Sequence, residues 1–196
     1  VSTQHAEPAT DARQTGLSRT AIAAAAALAV LLVAGVVVAS RFLPDEPVQA
    51  APTVPAPRTG PVGLVPVDAP DATAPECATL TAALPAALPN GGKTLPRLAV
   101  ADPAPVGAAA WGDQIGDPVV LRCGLGKPPE LTQTASLREV SKVRWLVVDG
   151  DGAATWFAVD RPVYVALTLP SGLGTGPLQT VSEVVGQVLP ELPVRP

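Results

Sequence analysis

Histidine is nearly missing from this chain of 196 residues, methionine is missing altogether, and there are only two cysteines. The single histidine, His5, stands before a long apolar run, whereas Cys77 and Cys123 stand well after it. Neither cysteine has a Cys or His neighbour at metal-ligand spacing, so no metal site and no cofactor are expected. Ser-His-Asp and Cys-His nucleophiles would have no base in the C-terminal portion, and no Ser-x-x-Lys supplies the alternative. Charge is scarce as well: Asp, Glu, Lys and Arg make up 15% of the chain, with a net charge of -4. The Lys and Arg residues are scattered, so no basic patch could neutralise a run of phosphates and nucleic acid is not an expected partner.

What the chain does hold is a sharp division of composition. Residues 1–20 are polar and lack apolar periodicity, which predicts a short cytoplasmic tail. Residues 21–40 are Ala, Leu, Val and Ile with one Gly and no charge, the pattern of a transmembrane helix with the lipid bilayer as its partner. Arg13 and Arg19 before the run, against Arg41 after it, place the C-terminal portion outside the cytoplasm of a single-pass plasma-membrane protein. Val37-Val38-Ala39 and Val48-Gln49-Ala50 resemble peptidase sites, so a cleaved signal is the rival reading; the length of the run favours an uncleaved anchor. Residues 41–74 carry proline at short intervals and predict a semi-rigid Pro/Ala-rich linker.

Residues 75–192 remain for one domain of about 120 residues. Thr73-Ala74-Pro75-Glu76 has the form of a capping box, and Cys77, Leu80 and Leu84 follow on one helical stripe. Short β-like runs are expected at 97–101, 108–111, 119–123, 137–140, 143–148, 154–159 and 163–169, and a closing helix at 177–189. The predicted fold class is therefore α+β, a small antiparallel sheet flanked by an N-terminal and a C-terminal helix, preceded by one transmembrane helix and the Pro-rich linker. In an oxidising compartment a Cys77–Cys123 disulfide is favoured over two buried free thiols.

Turn placement gives candidate surfaces. If Ser141-Lys142 and Gly150-Asp151 are two-residue loops, Glu139 pairs with Arg144, Arg138 with Trp145, and Trp145 with Trp156. Arg138, Trp145 and Trp156 then share one face, a platform for a sugar or a partner side chain, although two core indoles under a snorkelling arginine fit the same pattern and are favoured. Arg122, Arg161 and Tyr164 complete the candidate ligand or partner surface. Asp160-Arg161-Pro162 reads as a polar corner between strands, in which Arg161 is favoured as a structural partner of Asp160 over a ligand contact. The glycine-rich Ser171-Gly172-Leu173-Gly174-Thr175-Gly176 matches neither a dinucleotide fingerprint nor a Walker loop and reads as a flexible connection. Asp149-Gly150-Asp151-Gly152 reads as a hairpin turn rather than a calcium loop.

Cys77 in the first helix, Ala109-Ala110-Trp111-Gly112, Val119-Val120-Leu121-Arg122-Cys123-Gly124, Trp145-Leu146 and Asp160-Arg161-Pro162-Val163-Tyr164-Val165 together resemble the actinobacterial domain of unknown function 3515, over roughly residues 75–192. The resemblance implies an envelope protein with an N-terminal membrane segment and carries no catalytic residues. In place of an Asn-Gly-like hairpin turn this chain has Ser141-Lys142. The favoured functional reading is a membrane-tethered, extracytoplasmic binding or scaffolding module of the bacterial cell envelope, with an envelope protein or the cell wall as partner. The alternative is a carboxylate-dependent hydrolase of cell-wall polysaccharide drawing on Asp102, Asp113, Asp117 and Asp160.

Overall fold

The computed structural model describes residues 19–42 and 57–196. The chain divides into two units, Val1–Val54 and Pro55–Pro196. In the first, the apolar run forms α1 (Arg19–Phe42). Its described side chains, residues 26–36 among them, are exposed. Among the described residues no helix is long and apolar enough to cross a membrane, which corrects the expected transmembrane helix over residues 21–40. Residues 1–18 of the expected tail and 43–56 of the expected linker lie outside the described residues.

The second unit is built on one eight-stranded antiparallel sheet, larger than the small sheet expected. In chain order come α2 (Pro75–Ala83), β1 (Ala87–Asn90), β2 (Lys93–Leu98), β3 (Ala108–Trp111) and β4 (Val119–Leu125). They are followed by β5 (Leu137–Val140), β6 (Val143–Gly150), β7 (Ala153–Ala158), β8 (Tyr164–Pro170) and α3 (Gly176–Val188). The strand order is β1-β2-β3-β4-β8-β7-β6-β5, so β8 inserts between β4 and β7 and joins two sequential meanders. The β1–β2 hairpin, absent from the expectation, turns on Gly91 and Gly92, both at positive φ (54° and 82°). Pro89 and Pro96 hide these strands in the sequence, and β1 tolerates its proline because it is an edge strand.

The β5–β6 hairpin has the expected register, Glu139 opposite Arg144 and Arg138 opposite Trp145. Ser141 and Lys142 supply the two successive positive φ angles, 49° and 62°, that such a loop requires even without glycine. The β6–β7 hairpin departs from expectation: Asp151 and Gly152 form its loop, so Trp145 faces Ala158 and Trp156 faces Val147. The slip is of two residues, and an even slip leaves each side chain on its expected face.

One face of the sheet carries the main core. Leu80 and Leu84 of the α2 segment, with Leu178, Val181 and Val185 of α3, pack onto inward residues that include Trp111, Leu121 and Trp145. Each fully buried leucine contributes about 1.5–3 kcal/mol. The expected capping box at Thr73 does not form. Ala74 is the N-cap of α2 with no side-chain hydrogen bond, and Pro75 occupies the first turn, where its missing N–H costs nothing. The expected disulfide joins Cys77 to Cys123 with Cα atoms 5.5 Å apart, fastening α2 to β4 across 46 residues of chain. In the chain-entropy treatment this closure contributes about 4 kcal/mol.

The other face is covered by chain without regular structure. Leu131, Leu146 and Val159 form a second cluster with Leu137, Phe157 and Val194, under the β4–β5 loop and the C-terminal residues. The folded unit also starts earlier than residue 75, because residues 57–74 bind it as a strap. The Arg58 N–H donates to the Gln114 carbonyl (2.7 Å), Val62 bridges Val100, and the Asp71 N–H donates to the Gly124 carbonyl (3.0 Å). Gly124 makes this docking fit. It forms a bulge in β4 at φ 82°, and a Cβ there would lie 2.3 Å from Asp71 and Ala72 backbone atoms.

Asp160 and Arg161, both buried, gather the remaining ends. Asp160 Oδ2 accepts the Arg144 N–H (3.0 Å), and the Asp160 carbonyl accepts the Leu192 N–H (2.8 Å). Arg161 donates to the Lys142 carbonyl and to the Leu189 carbonyl, and its Nε lies 3.5 Å from Asp160 Oδ1. Burial pushes the Asp160 carboxyl above its ordinary range, outweighing the Arg144 N–H and the Arg161 charge.

Substitutions at the strap and at the clamp have different expected outcomes. Gly124→Ala should cost about 2–4 kcal/mol in urea unfolding, from strain plus overlap. Gly152→Ala, also at positive φ but with nothing within 4 Å of its Cβ position, should cost only about 1–2 kcal/mol; equal costs would show that the strap is not held at Gly124. For Asp160, the folded state keeps the proton at a pH where the unfolded chain has released it. Its contribution is therefore full below about pH 4 and declines as pH rises through the raised folded value. Thermal unfolding of Asp160→Asn should lack that decline, and parallel pH curves for the two proteins would show that Asp160 is not its source.

Candidate functional site

The residues expected to form a surface are distributed among three different environments. Arg138 is exposed on β5 opposite Trp145, while Trp145 is fully buried and Trp156 half-buried in the main core, so the indoles are core residues, the favoured reading, rather than an open platform. The indole N–H of Trp145 has no partner, and that of Trp111 donates to the Pro85 carbonyl at 3.0 Å. Arg161, a candidate for the surface but favoured as a structural partner of Asp160, is 3% exposed and donates to the Lys142 and Leu189 carbonyls. Tyr164 is half-buried in the second cluster with its hydroxyl 3.5 Å from the Arg195 carbonyl.

Arg122 differs from the others. It points away from the helices because β4 alternates: Leu121 and Cys123 enter the core, and Arg122 faces the opposite side. Its cross-strand neighbours there are Ala166 on β8 and, beyond it, Phe157 on β7. The next rung is Val120, Thr168 and Thr155, with the two threonine hydroxyls 3.1 Å apart. The strap at Val67 and Asp68 forms one wall and the chain from Leu125 to Pro129 the other, enclosing a cleft of about 420 Å³. That volume falls in the ordinary range for a small-ligand site. A second cleft of about 400 Å³ on the other side of Val65 shares Arg122.

The electrostatics of this floor are unusual. Arg122 is half-buried, one Nη2 hydrogen is given to the Val65 carbonyl at 2.7 Å, and burial draws its pKa down. Asp68 lines the same cleft, yet among the described residues no carboxylate lies within ion-pair distance of Arg122. A guanidinium partly removed from water with no counter-charge is a standing cost, one that an incoming anion would offset. Lys127 at the rim has the same sign. A larger cleft of about 600 Å³ lies beside α2, but its lining is small and uncharged, with Ala78, Ala82 and Val106 among its members.

The carboxylates proposed for hydrolysis do not meet in the cleft over the sheet. The Asp113 carboxylate accepts the N–H groups of Gly116 and Ile115, both at 2.9 Å, and these bonds hold it below its ordinary range. Asp117 pairs with Arg58 at 3.0 Å, and Asp160 is sealed in the clamp. Among the described residues no cluster of three or more histidine, cysteine or carboxylate side chains is placed to hold a metal ion. The glycine-rich loop is packed rather than free: the Gly174 N–H donates to Asn90 Oδ1 at 2.8 Å, and a Cβ on Gly176 would lie 2.5 Å from the Pro89 carbonyl oxygen.

Sequence reasoning missed Thr155, Phe157, Ala166, Thr168 and the strap. The alternation that sends Trp156 and Leu167 inward also sends Phe157 and Ala166 outward, so their shared side was readable. Their adjacency to Arg122 was not, because it depends on β8 inserting beside β4. No curated protein and no solved structure matches this chain. A family model described as Protein of unknown function (DUF3515) matches residues 26–194, nearly the whole of the chain, which therefore belongs to that family.

Proposed function

We propose that this protein is a binding module that works outside the cytoplasm, in the cell envelope, and holds an anionic ligand in the cleft between the strap and the β4–β5 loop. The observation that carries the reading is Arg122, a half-buried cation on the floor of a cleft, held in place by the Val65 carbonyl and left without a carboxylate among the described residues. A guanidinium fixed through one nitrogen keeps its remaining donors for a carboxylate or phosphate. Paired threonine hydroxyls and the Phe157 ring line the same cleft and suit the recognition of a bound ligand. The disulfide supports the compartment, since such staples form and persist where the surroundings are oxidising.

Amide NMR of the full chain titrated with acetate, phosphate and sulfate tests the site. At least one of these anions should saturably shift the signals of Arg122, Leu125, Ala166 and Thr168, and Arg122→Gln should weaken that binding at least about tenfold. No saturable shift, or shifts unchanged in the variant, would remove the basis of the proposal. The compartment is checked by labelling intact cells with a membrane-impermeant maleimide that adds mass. Cys77 and Cys123 should react from outside only after reduction; thiols that react only after lysis would place the domain in the cytoplasm.

A further inference from the structure

The strap over residues 57–74 is held differently from the sheet beneath it. Among the described residues neither hydrophobic cluster takes a side chain from 57–73, and Val65 and Val67 leave 75% and 49% of their surface in water. What holds the strap is a short series of polar contacts. At its start the Arg58 guanidinium pairs with Asp117 at 3.0 Å and donates to the Gly116 carbonyl, and both members of the pair are exposed. The Val62 N–H then donates to the Ala99 carbonyl (2.8 Å), the Val62 carbonyl accepts the Ala101 N–H (2.9 Å), and at the far end the Asp71 N–H reaches the Gly124 carbonyl. Between Val62 and Asp71 a single hydrogen bond ties the strap to the sheet, from Arg122 Nη2 to the Val65 carbonyl at 2.7 Å. A segment with little buried apolar surface and few bonds opens at a lower free energy than the core it covers.

The same segment walls the site. Val67 and Asp68 stand on one side of the cleft over the sheet, and the stretch from Pro61 to Val65 lines the second cleft that shares Arg122. Resting on the reading of the first cleft as an anion site, we infer that the strap is its gate: it undocks while the rest of the domain stays folded, and the docked strap and an anion on Arg122 stabilise each other. The coupling passes through one guanidinium. Docking gives Arg122 the Val65 carbonyl, which restrains its remaining donors and so removes part of the ordering cost of binding. Undocking takes away that carbonyl and one wall, leaving the cation to water, where an ion pair contributes little. Linkage then requires the converse, that a bound anion favours the docked strap. Asp68 acts against this by bringing a carboxylate to the same wall. It is exposed, however, and outside ion-pair distance of the cations among the described residues, so water weakens its repulsion.

Amide hydrogen exchange of the full chain, read by NMR, tests the gate. Without added anion the Val62 and Asp71 amides should exchange at least about tenfold faster than those of Leu121 and Leu167 in the middle of the sheet, and with little dependence on dilute urea. Equal rates with equal urea dependence would make the strap part of the global unfolding unit and overturn the inference. Arg122→Gln should speed strap exchange at least about threefold relative to Leu121 and Leu167; an unchanged ratio would show that Arg122 does not hold the strap, and would overturn it too. The coupling is read with whichever of acetate, phosphate and sulfate binds, against chloride at the same ionic strength. At about ten times its Kd the anion should slow strap exchange about tenfold, and the same concentration should give little protection in Arg122→Gln. If an anion binds and strap exchange is unchanged or faster, the gate is wrong and the anion site stands. If none of the three binds, both fall.

Discussion

The buried pair Asp160 and Arg161 is the contact on which the arrangement of the second unit most depends. It follows β7 directly and ties together the β5–β6 turn at Lys142, the start of β6 at Arg144, the end of α3 at Leu189 and the tail at Leu192. At each of these points the pair provides a hydrogen-bond partner for a backbone group, and a group left unpaired away from water costs about as much as a lost hydrogen bond. The pair is costly in itself, since the Asp160 Oδ1 and Arg161 Nε atoms form no proper hydrogen bond at 3.5 Å and burial disfavours the charged carboxyl. What it secures is position: α3 is fixed at its C-terminal end and the tail is directed over the second hydrophobic cluster, where Val194 packs.

The two faces of the sheet are closed by different means, and the candidate site follows from that difference. Helices cover one face with a continuous apolar layer, stapled through Cys77 to Cys123. Among the described residues of the second unit no helix covers the other face. A strap and a loop lie over it, and because neither can cover the centre of β4, β8 and β7, a cleft remains above Arg122, Ala166 and Phe157. Gly124 belongs to both halves of this arrangement. It follows the disulfide cysteine in β4, and its bulge lets the strap backbone approach closely enough to form a wall. The staple and the cleft wall are thus set by neighbouring residues of one strand.

Much of the local structure could be read from the chain because it rests on local physics. The stripe of Cys77, Leu80 and Leu84, the closing helix and the Ser141-Lys142 hairpin depend on periods of 3.6 and 2 and on a two-residue loop, all confined to short windows. The β6–β7 hairpin missed its register because Asp149-Gly150-Asp151-Gly152 offers two adjacent choices of turn, and packing of the whole sheet selects between them. The β1–β2 hairpin was hidden because its prolines argue against strands locally, a penalty that vanishes for Pro89 on the edge strand β1. The reading of Trp145 and Trp156 as core residues, favoured over a ligand platform, rests on the same alternation that puts both on one face, and that face carries the main core.

By itself the sequence determined the positions of α2 and α3, most strand positions and the compatibility of Cys77 with Cys123, though not the size of the sheet, because these follow from periodicity, turn chemistry and the lack of any competing ligand. Only the tertiary structure decided that Asp160 and Arg161 form a buried clamp, that residues 57–74 are part of the folded unit, and that Arg122 has Ala166 and Phe157 beside it. Each of those depends on partners remote in sequence, and a pairing such as β4 with β8 is selected by the burial of the entire sheet rather than by any window of the chain.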